Sequence, residues 1–253
     1  MKLEGKVALV TGSGRGIGKG IATRLELAGA TVIRHDHPES EAAKQAAPYG
    51  KHFLAADLED LESVARMFEA VRAYFGHLDI LVNNAGIDPT CAFLDVDESF
   101  YSKVMNTNLR AGFFCAQHAV RLMAGCKTGR LIFIGSVHAQ STMPNYAVYA
   151  ASKGAIESLV RQLSMDLSDR GITVNAIAPG AIEVEKFLEH PAYDRAALSK
   201  EIPRGRVGLP EDVAALAEFL AGDPANWITG QTFTVDGGTR SRLYLYAGRP
   251  IPS

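Results

Sequence analysis

Two residues four positions apart in the chain could carry acid and base chemistry. Tyr149 and Lys153 stand at the start of a helical pattern, so their side chains lie on one face of a helix, one turn apart. Hydride transfer to or from a carbonyl carbon requires a proton to move at the oxygen, and an ordinary tyrosine, with a pKa of about 10, is poorly matched to neutral pH. We expect the Lys153 ammonium to lower the pKa of Tyr149 and also to hold a ribose hydroxyl of a cofactor.

Two further polar residues are predicted to complete this pair. Ser136 directly follows the fifth predicted strand, so its hydroxyl can hydrogen-bond and polarise the substrate oxygen. Asn108 could bend its helix locally and hold a water that connects Lys153 to solvent. A second tyrosine, Tyr146, is roughly 10 Å from Lys153 along a helix axis, at 1.5 Å per residue, which is too far for direct coupling. We therefore predict Tyr149 as the acid/base residue.

The elements that must position these residues alternate regularly, because short apolar runs are separated by longer amphipathic stretches. This alternation predicts an α/β fold with a doubly wound parallel sheet and helices on both faces. The predicted strands are Val7 to Thr11, Thr31 to Ile33, Ile80 to Asn83, Arg130 to Gly135, Thr173 to Ala178 and Thr232 to Val235, with one more before Asp57. The predicted helices are Ile17 to Ala28, Leu61 to Tyr74, Phe100 to Met123, Ala150 to Leu167 and Val213 to Leu220.

Loops rich in Pro and Gly follow two of the later predicted strands, where ligands bind in sheets of this kind. The segment from about 181 to 209 is predicted to be a lid over the site, and a second loop lies at 236–238. The residues from about 239 to 253 form a C-terminal extension that we expect to be packed. We predict one domain over residues 1–253.

The turn after the first predicted strand is typical of a phosphate-binding site. Glycines let the backbone approach a pyrophosphate closely, and the N-terminus of the following helix offers unpaired N–H donors and the positive end of its dipole. The spacing of the glycines, G-x-x-x-G-x-G, differs from the commoner G-x-G-x-x-G. The predicted cofactor-binding residues of this turn are Gly12, Ser13, Gly14, Arg15, Gly16, Ile17 and Gly18.

Asp36 closes the second predicted strand and is the residue that discriminates between cofactors. A carboxylate there can accept hydrogen bonds from the ribose hydroxyls of the adenosine and would repel a 2′-phosphate. We therefore predict NAD over NADP. NADP stays the alternative, because four cations nearby could reach a phosphate: Arg15, Arg34, His35 and His37.

Further cofactor contacts are predicted after the third and fourth strands. Asp57 and Leu58 are placed to meet the adenine, although Asp57 could equally cap the helix after it. Ala85 and Gly86 follow the fourth strand together with Asn84. The asparagine side chain could contact the cofactor or simply tie the loop together, and the sequence favours neither.

Taken together, the motifs resemble those of the classical short-chain dehydrogenase/reductase family: Thr11 to Gly18, Asn83 to Gly86, Asn108, Ser136, Tyr149-x-x-x-Lys153 and Pro179-Gly180. The resemblance covers about Lys6 to Gly238. It implies a single Rossmann-like domain, a nicotinamide cofactor, Tyr149 as the acid/base and a homotetramer. It also implies cofactor contacts at Pro179, Gly180 and Ile182. Val184 stands where the family often has Thr, so one hydroxyl contact to the cofactor is missing.

The predicted substrate-binding side chains are mainly polar and could donate and accept many hydrogen bonds. They favour a secondary alcohol or ketone in a sugar, polyol or sugar acid, with oxidation by NAD as the direction. The alternative is that the lid residues Glu183 and Glu185 are merely solvated. The predicted substrate-binding residues are Ser136, His138, Gln140, Asn145, Tyr149, Glu183 and Glu185.

Two other functions are compatible with parts of the sequence. An NADPH-dependent 3-oxoacyl thioester reductase would need a basic surface for an acidic carrier, and Arg121, Lys127 and Arg130 cluster in the sequence. Asp36 counts against NADPH. A nucleotide-sensing protein without catalysis would have no use for Tyr149 and Lys153 together with a serine.

Composition excludes several classes of partner. The formal net charge of −2 at pH 7 gives no overall attraction to nucleic acid or to an anionic membrane, so we expect a small-molecule substrate. The three cysteines are scattered without metal-ligand spacing, which predicts no metal site and no disulfide framework. We expect a cytoplasmic protein, since no secretion signal or membrane-spanning run is apparent.

Overall fold

The computed structural model describes residues 2–125 and 128–242, and the seven strands in these ranges form one parallel sheet. Their order is β3-β2-β1-β4-β5-β6-β7, so the predicted doubly wound parallel sheet is confirmed. Successive strands are added on one side of β1 as far as β3 and on its other side from β4 onward, so the switch point of the sheet lies between β1 and β4. In such sheets ligands bind beside the switch point, at the carboxyl ends of the strands. The strands are β1 (Val7–Val10), β2 (Thr31–Asp36), β3 (Phe53–Ala55), β4 (Ile80–Asn83), β5 (Gly129–Ile134), β6 (Ile172–Pro179) and β7 (Thr232–Val235).

The helices lie between the strands and cover both faces of the sheet. Their bounds are α1 (Gly16–Leu27), α2 (Glu41–Lys44), α3 (Leu61–Phe75), α4 (Glu98–Met105), α5 (Ala111–Leu122), α6 (Ala147–Asp166), α7 (Glu185–Leu188), α8 (Arg195–Glu201) and α9 (Pro210–Ala221). The long helix predicted from Phe100 to Met123 is two helices, because a π-helical turn at Asn106–Arg110 separates α4 from α5. No helix in the described part of the chain is long and apolar enough to cross a membrane.

Two hydrophobic cores hold the helices on the sheet. Alternate residues of a strand face opposite sides, so Leu9 and Leu81 pack with α3, α5 and α6, whereas Ala8 and Val82 pack with α1 and α9. Helix α1 buries Gly18, Ile21, Ala22 and Leu25, which have the spacing of one helical face. This packing fixes the glycine turn that precedes α1 against the ends of β1 and β4.

The segment predicted to be a lid contains regular secondary structure. It contains α7 and α8, and its ends are joined by a bridge between Ile182 and Gly208. The predicted C-terminal extension begins with a short turn, Thr239–Ser241, and its residues 243–253 lie outside the described part of the chain. The assignment of the whole chain to one domain stays a prediction.

Candidate active site

The two central side chains lie where β5 ends and α6 begins. Lys153 is 4 % exposed, and its Nζ donates to the carbonyl oxygen of Ile134 at 2.9 Å. The same Nζ lies 5.6 Å from the centroid of the Tyr149 ring. Ser136, also buried, hydrogen-bonds with Tyr149. The structure thus brings together the three residues that the sequence predicted.

The acidity of Tyr149 differs from the expectation. Burial raises the pKa of Tyr149 to about 12, and the hydrogen bond with Ser136 opposes this rise only in part. The low pKa that the sequence predicted for Tyr149 is therefore wrong for this structure. The Lys153 ammonium lies over the ring and donates to Ile134. Burial also lowers the pKa of Lys153 to about 8. Tyr149 therefore keeps its proton at neutral pH and can give it to an oxygen.

Asn108 connects the end of β4 to the start of α6. Its Oδ1 accepts from the N–H of Ile87 at 2.8 Å, and its Nδ2 donates to the carbonyl of Ile87 at 2.8 Å and to Ser152 Oγ at 3.1 Å. The predicted local departure from α-helix at Asn108 is confirmed by the π-helical turn. The water between Asn108 and Lys153 stays a prediction.

The glycine turn after β1 packs closely against the segment after β4 and against the start of α1, which only residues without a side chain allow. Gly12 has φ +61°, and a Cβ there would lie 2.9 Å from Ala85 Cα. A Cβ on Gly18 would collide with the carbonyl oxygen of Gly12 and with Asn84. Such a cradle at the N-terminus of α1, beside the sheet's switch point, fits a nicotinamide dinucleotide.

Two predicted cofactor residues turn out to support the site from within. Ser13 is buried, and its Oγ accepts from the N–H of His35 at 2.9 Å, so its side chain fastens the turn to β2. Leu58 packs its side chain in the hydrophobic core, which leaves only its backbone to face the adenine site. Asp57 does not cap the next helix, because the side chain at the N-cap of α3 is that of Asp60.

The asparagine after β4 ties the loop together. Asn84 Nδ2 donates to the carbonyl oxygens of Thr11 and Gly12, at 2.9 Å each. Gly86 lies next to the Lys153 ammonium, since a Cβ there would be 3.6 Å from Lys153 Nζ. After β6, Gly180 packs against Asp236 and donates its N–H to the carbonyl oxygen of Val235. It therefore joins the end of β6 to the end of β7. Arg15, Ile17, Ala85, Pro179 and Ile182 all lie on these same segments, with Pro179 at the end of β6.

The carboxylate of Asp36 faces the glycine turn, as its predicted role requires. Its Oδ2 accepts from the N–H of Gly14 at 3.1 Å. Two of the cations that could have reached a phosphate are turned away: Arg34 is buried and pairs with Glu26, and buried His35 accepts from the N–H of Gly12. Arg15 and His37 stay on the surface near the turn.

Three of the polar residues assigned to the substrate are engaged elsewhere. The Glu183 carboxylate is buried and accepts from Tyr193 and Arg195, which hold its pKa below the ordinary value. Gln140 donates to Glu157 at 2.9 Å and accepts from Arg240. Glu185 Oε2 accepts from the N–H of Gly16 at 3.0 Å, in the cofactor cradle. These three side chains thus have partners within the protein, and their roles in substrate binding stay a prediction.

The rings of His138, Tyr146 and Tyr149 form an aromatic wall beside these polar residues. The His138 ring lies 4.6 Å from the Tyr146 ring and 5.4 Å from the Tyr149 ring, and the two tyrosine rings are 5.9 Å apart. Asn145, the only non-glycine residue with a positive φ in the described ranges, is exposed just before this wall. The sequence had considered Tyr146 only as a rival catalytic tyrosine.

A carboxylate that the sequence analysis missed also lies at this edge of the sheet. Asp88 follows the loop after β4, and its charge raises the pKa of Lys153 against the larger lowering by burial. Its Oδ1 accepts from Lys186 Nζ of α7 at 2.5 Å. Its place in the segment after the fourth predicted strand was a signal that could have singled it out.

The fold and the acid/base geometry at the edge of its sheet define an oxidoreductase of the Rossmann-like class. A family model described as Enoyl-(Acyl carrier protein) reductase matches residues 12–240, which is most of the chain. The chain belongs to the classical short-chain dehydrogenase/reductase family, whose members use nicotinamide cofactors.

The similar proteins are named for different substrates. A hydroxynaphthalene reductase-like protein of Metarhizium majus is 39% identical, over 94% of this chain and 96% of its own. Versicolorin reductase 1 of Aspergillus parasiticus is 40% identical, over 94% of this chain and 97% of its own. Among solved structures, a gluconate 5-dehydrogenase from Burkholderia cenocepacia, in complex with NADP and tartrate, is 34% identical with a TM-score of 0.87, covering 96% of this chain and 98% of its own.

Proposed function

We propose that this protein reduces a ketone to a secondary alcohol and that Tyr149 donates the proton to the ketone oxygen. The observation that carries this proposal is the buried Tyr149, protonated at neutral pH, beside Ser136 and Lys153. A nicotinamide cofactor supplies the hydride when bound. The high pKa of Tyr149 supports reduction over the oxidation that the sequence had suggested, because the residue starts as an acid.

Each side chain has a distinct task in this proposal. Ser136 orients the ketone oxygen and stabilises the charge that develops on it. Lys153, in its charged form, stabilises the negative charge left on the Tyr149 oxygen after proton transfer. Asn108 holds Ile87 and Ser152 in place beside them and is a positioning residue.

The aromatic wall supports a flat, unsaturated ring as substrate. Aromatic rings pack well in offset or edge-to-face arrangements, and each such pair contributes about 0.5 to 1.5 kcal/mol beyond area burial. The carboxylates predicted to bind sugar hydroxyls are already used by Arg195 and by Gly16. The relative named for hydroxynaphthalene reduction is in accord with such a substrate.

A comparison of two substrates tests this choice. With a hydroxylated bicyclic aromatic ketone, we expect kcat/KM to be about tenfold or more above that with a keto sugar acid. Tyr146→Ala should raise KM for the aromatic ketone about two- to tenfold, whereas Tyr146→Phe keeps the ring and should raise it less. The measurement is initial-rate consumption of reduced cofactor. A preference for the keto sugar acid would contradict the proposal.

A sugar acid or polyol is the second candidate substrate. Exposed Asn145 beside the aromatic wall offers a donor and an acceptor to hydroxyl groups, and the solved relative named for gluconate has the same fold. The 3-oxoacyl thioester alternative is weakened, because Arg130 is buried and bonds to Asn226, which removes it from any basic surface. Lys127 lies outside the described residues.

We propose NADH over NADPH as the reductant, although the solved relative holds NADP. Asp36 supports this, since its carboxylate lies against Gly14 where a 2′-phosphate would meet its charge. In the wild type, kcat/KM should be higher with NADH. Asp36→Ala should shift the ratio of kcat/KM values toward NADPH by about tenfold or more, and the exposed Asp169→Ala serves as control. A wild type that prefers NADPH would overturn this choice. The homo-oligomer and the cytoplasmic location stay predictions.

A further inference from the structure

The short helix α7 lies against the cradle that would receive the cofactor's phosphates. Glu185, its first residue, places Oε2 at 3.0 Å from the N–H of Gly16, where α1 begins. Val184 packs beside it, because its Cγ1 would be 3.1 Å from a Cβ on Gly16. The carboxylate thus occupies an N–H donor at the positive end of a 12-residue helix.

A second contact fastens α7 to the segment after β4. Lys186, the next residue, donates to Asp88 in the segment after β4. Asp88 is adjacent to Ile87, which Asn108 holds with two hydrogen bonds. Two consecutive residues of α7 therefore connect the glycine turn after β1 with the segment after β4, across the switch point where a dinucleotide binds.

A carboxylate and a phosphate cannot both accept the Gly16 hydrogen bond. They would also repel each other, because both groups are negatively charged and would lie a few Å apart. The N-terminus of α1 favours one anion, and in this structure that anion is internal.

We infer that Glu185 is a built-in competitor of the cofactor's pyrophosphate, so that the cofactor binds only after Glu185 has left Gly16. The apparent affinity for the dinucleotide is then the intrinsic affinity multiplied by the fraction of molecules in which Glu185 has moved away. Removing the charge of Glu185 raises that fraction. This role concerns binding alone and does not depend on which ketone the enzyme reduces.

The test is a titration of the purified full chain with the reduced dinucleotide, followed by the cofactor's fluorescence and with no substrate present. Glu185→Gln keeps the size of the side chain and removes its charge, and Glu185→Ala removes both charge and hydrogen bond. We expect each variant to lower Kd about three- to thirtyfold. The matched control is Glu189→Gln, an exposed carboxylate in the segment just after α7, which should leave Kd within about twofold.

A second readout separates competition from a general effect of charge. Because the Glu185 contact stabilises the free protein, Glu185→Ala should lower the melting temperature without cofactor and increase the rise on adding cofactor. Equal Kd values in all four proteins, or weaker binding by both Glu185 variants, would overturn the inference. So would an equal gain in the Glu189→Gln control. Failure of the proposed ketone reduction would leave these binding results unaffected.

Discussion

Tyr149→Phe is expected to lower kcat for ketone reduction by about 10² to 10⁴-fold, the usual contribution of a positioned proton donor. The ring stays, so its contacts with His138 and Tyr146 persist, and only the hydroxyl that hydrogen-bonds with Ser136 is lost. The Kd for the reduced cofactor should change less than about threefold, because this hydroxyl acts on the substrate oxygen. Steady-state kinetics and a cofactor titration separate the two effects.

The control for this variant is Tyr101→Phe, which removes a hydroxyl from an exposed tyrosine in α4. Its kcat should stay within about twofold of the wild type. Turnover that survives in Tyr149→Phe would show that another group gives the proton. Tyr146, the nearest other phenol in the aromatic wall, would then be the residue to examine.

Lys153→Met should abolish most turnover and yet stabilise the protein. The buried ammonium has its pKa lowered from 10.5 to about 8, so the fold disfavours the charge that catalysis needs. Methionine has a similar length and carries no charge, and it should raise the free energy of unfolding at pH 7 by up to about 3 kcal/mol. The lost hydrogen bond to the Ile134 carbonyl reduces this gain. Urea unfolding measures it, with the exposed Lys103→Met as control.

The pH dependence of Lys153 follows from the same lowering of its pKa. Between about pH 8 and 10.5 the unfolded chain binds a proton that the folded chain has lost, so the wild type gains stability as the pH rises through this window. The advantage of Lys153→Met disappears over the same range. Reduction should fall as the pH rises through about 8, because Lys153 loses its charge. A stability difference that does not change from pH 7 to above 10.5 would contradict this account.

The residues predicted best from the sequence are those placed by local rules. Tyr149 and Lys153 share a helix face by spacing, and Ser136 follows a strand end, so their meeting requires only the sheet to form. The glycine turn is equally local, since a strand, a turn and a helix follow one another directly. The same holds for Asp36 at the end of β2.

The sequence could not show contacts between residues that lie far apart in the chain. Glu185 hydrogen-bonds with Gly16, which is 169 positions away, and Gln140 hydrogen-bonds with Arg240, which is 100 positions away. No local pattern shows which carboxylate is already paired within the protein. The pKa of Tyr149 was misjudged for a related reason, because the depth of burial depends on the whole fold while helical spacing does not.

The most direct test of ketone reduction is the transfer of a labelled hydride. The wild type is incubated with an accepted ketone and with cofactor that carries deuterium on the hydride-donating face of its nicotinamide ring, and the product alcohol is analysed by mass spectrometry. One deuterium should appear on the carbinol carbon in the wild type, and product should be nearly absent with Tyr149→Phe. An alcohol without deuterium from either face of the cofactor, or equal product from Tyr149→Phe, would contradict the proposed reaction.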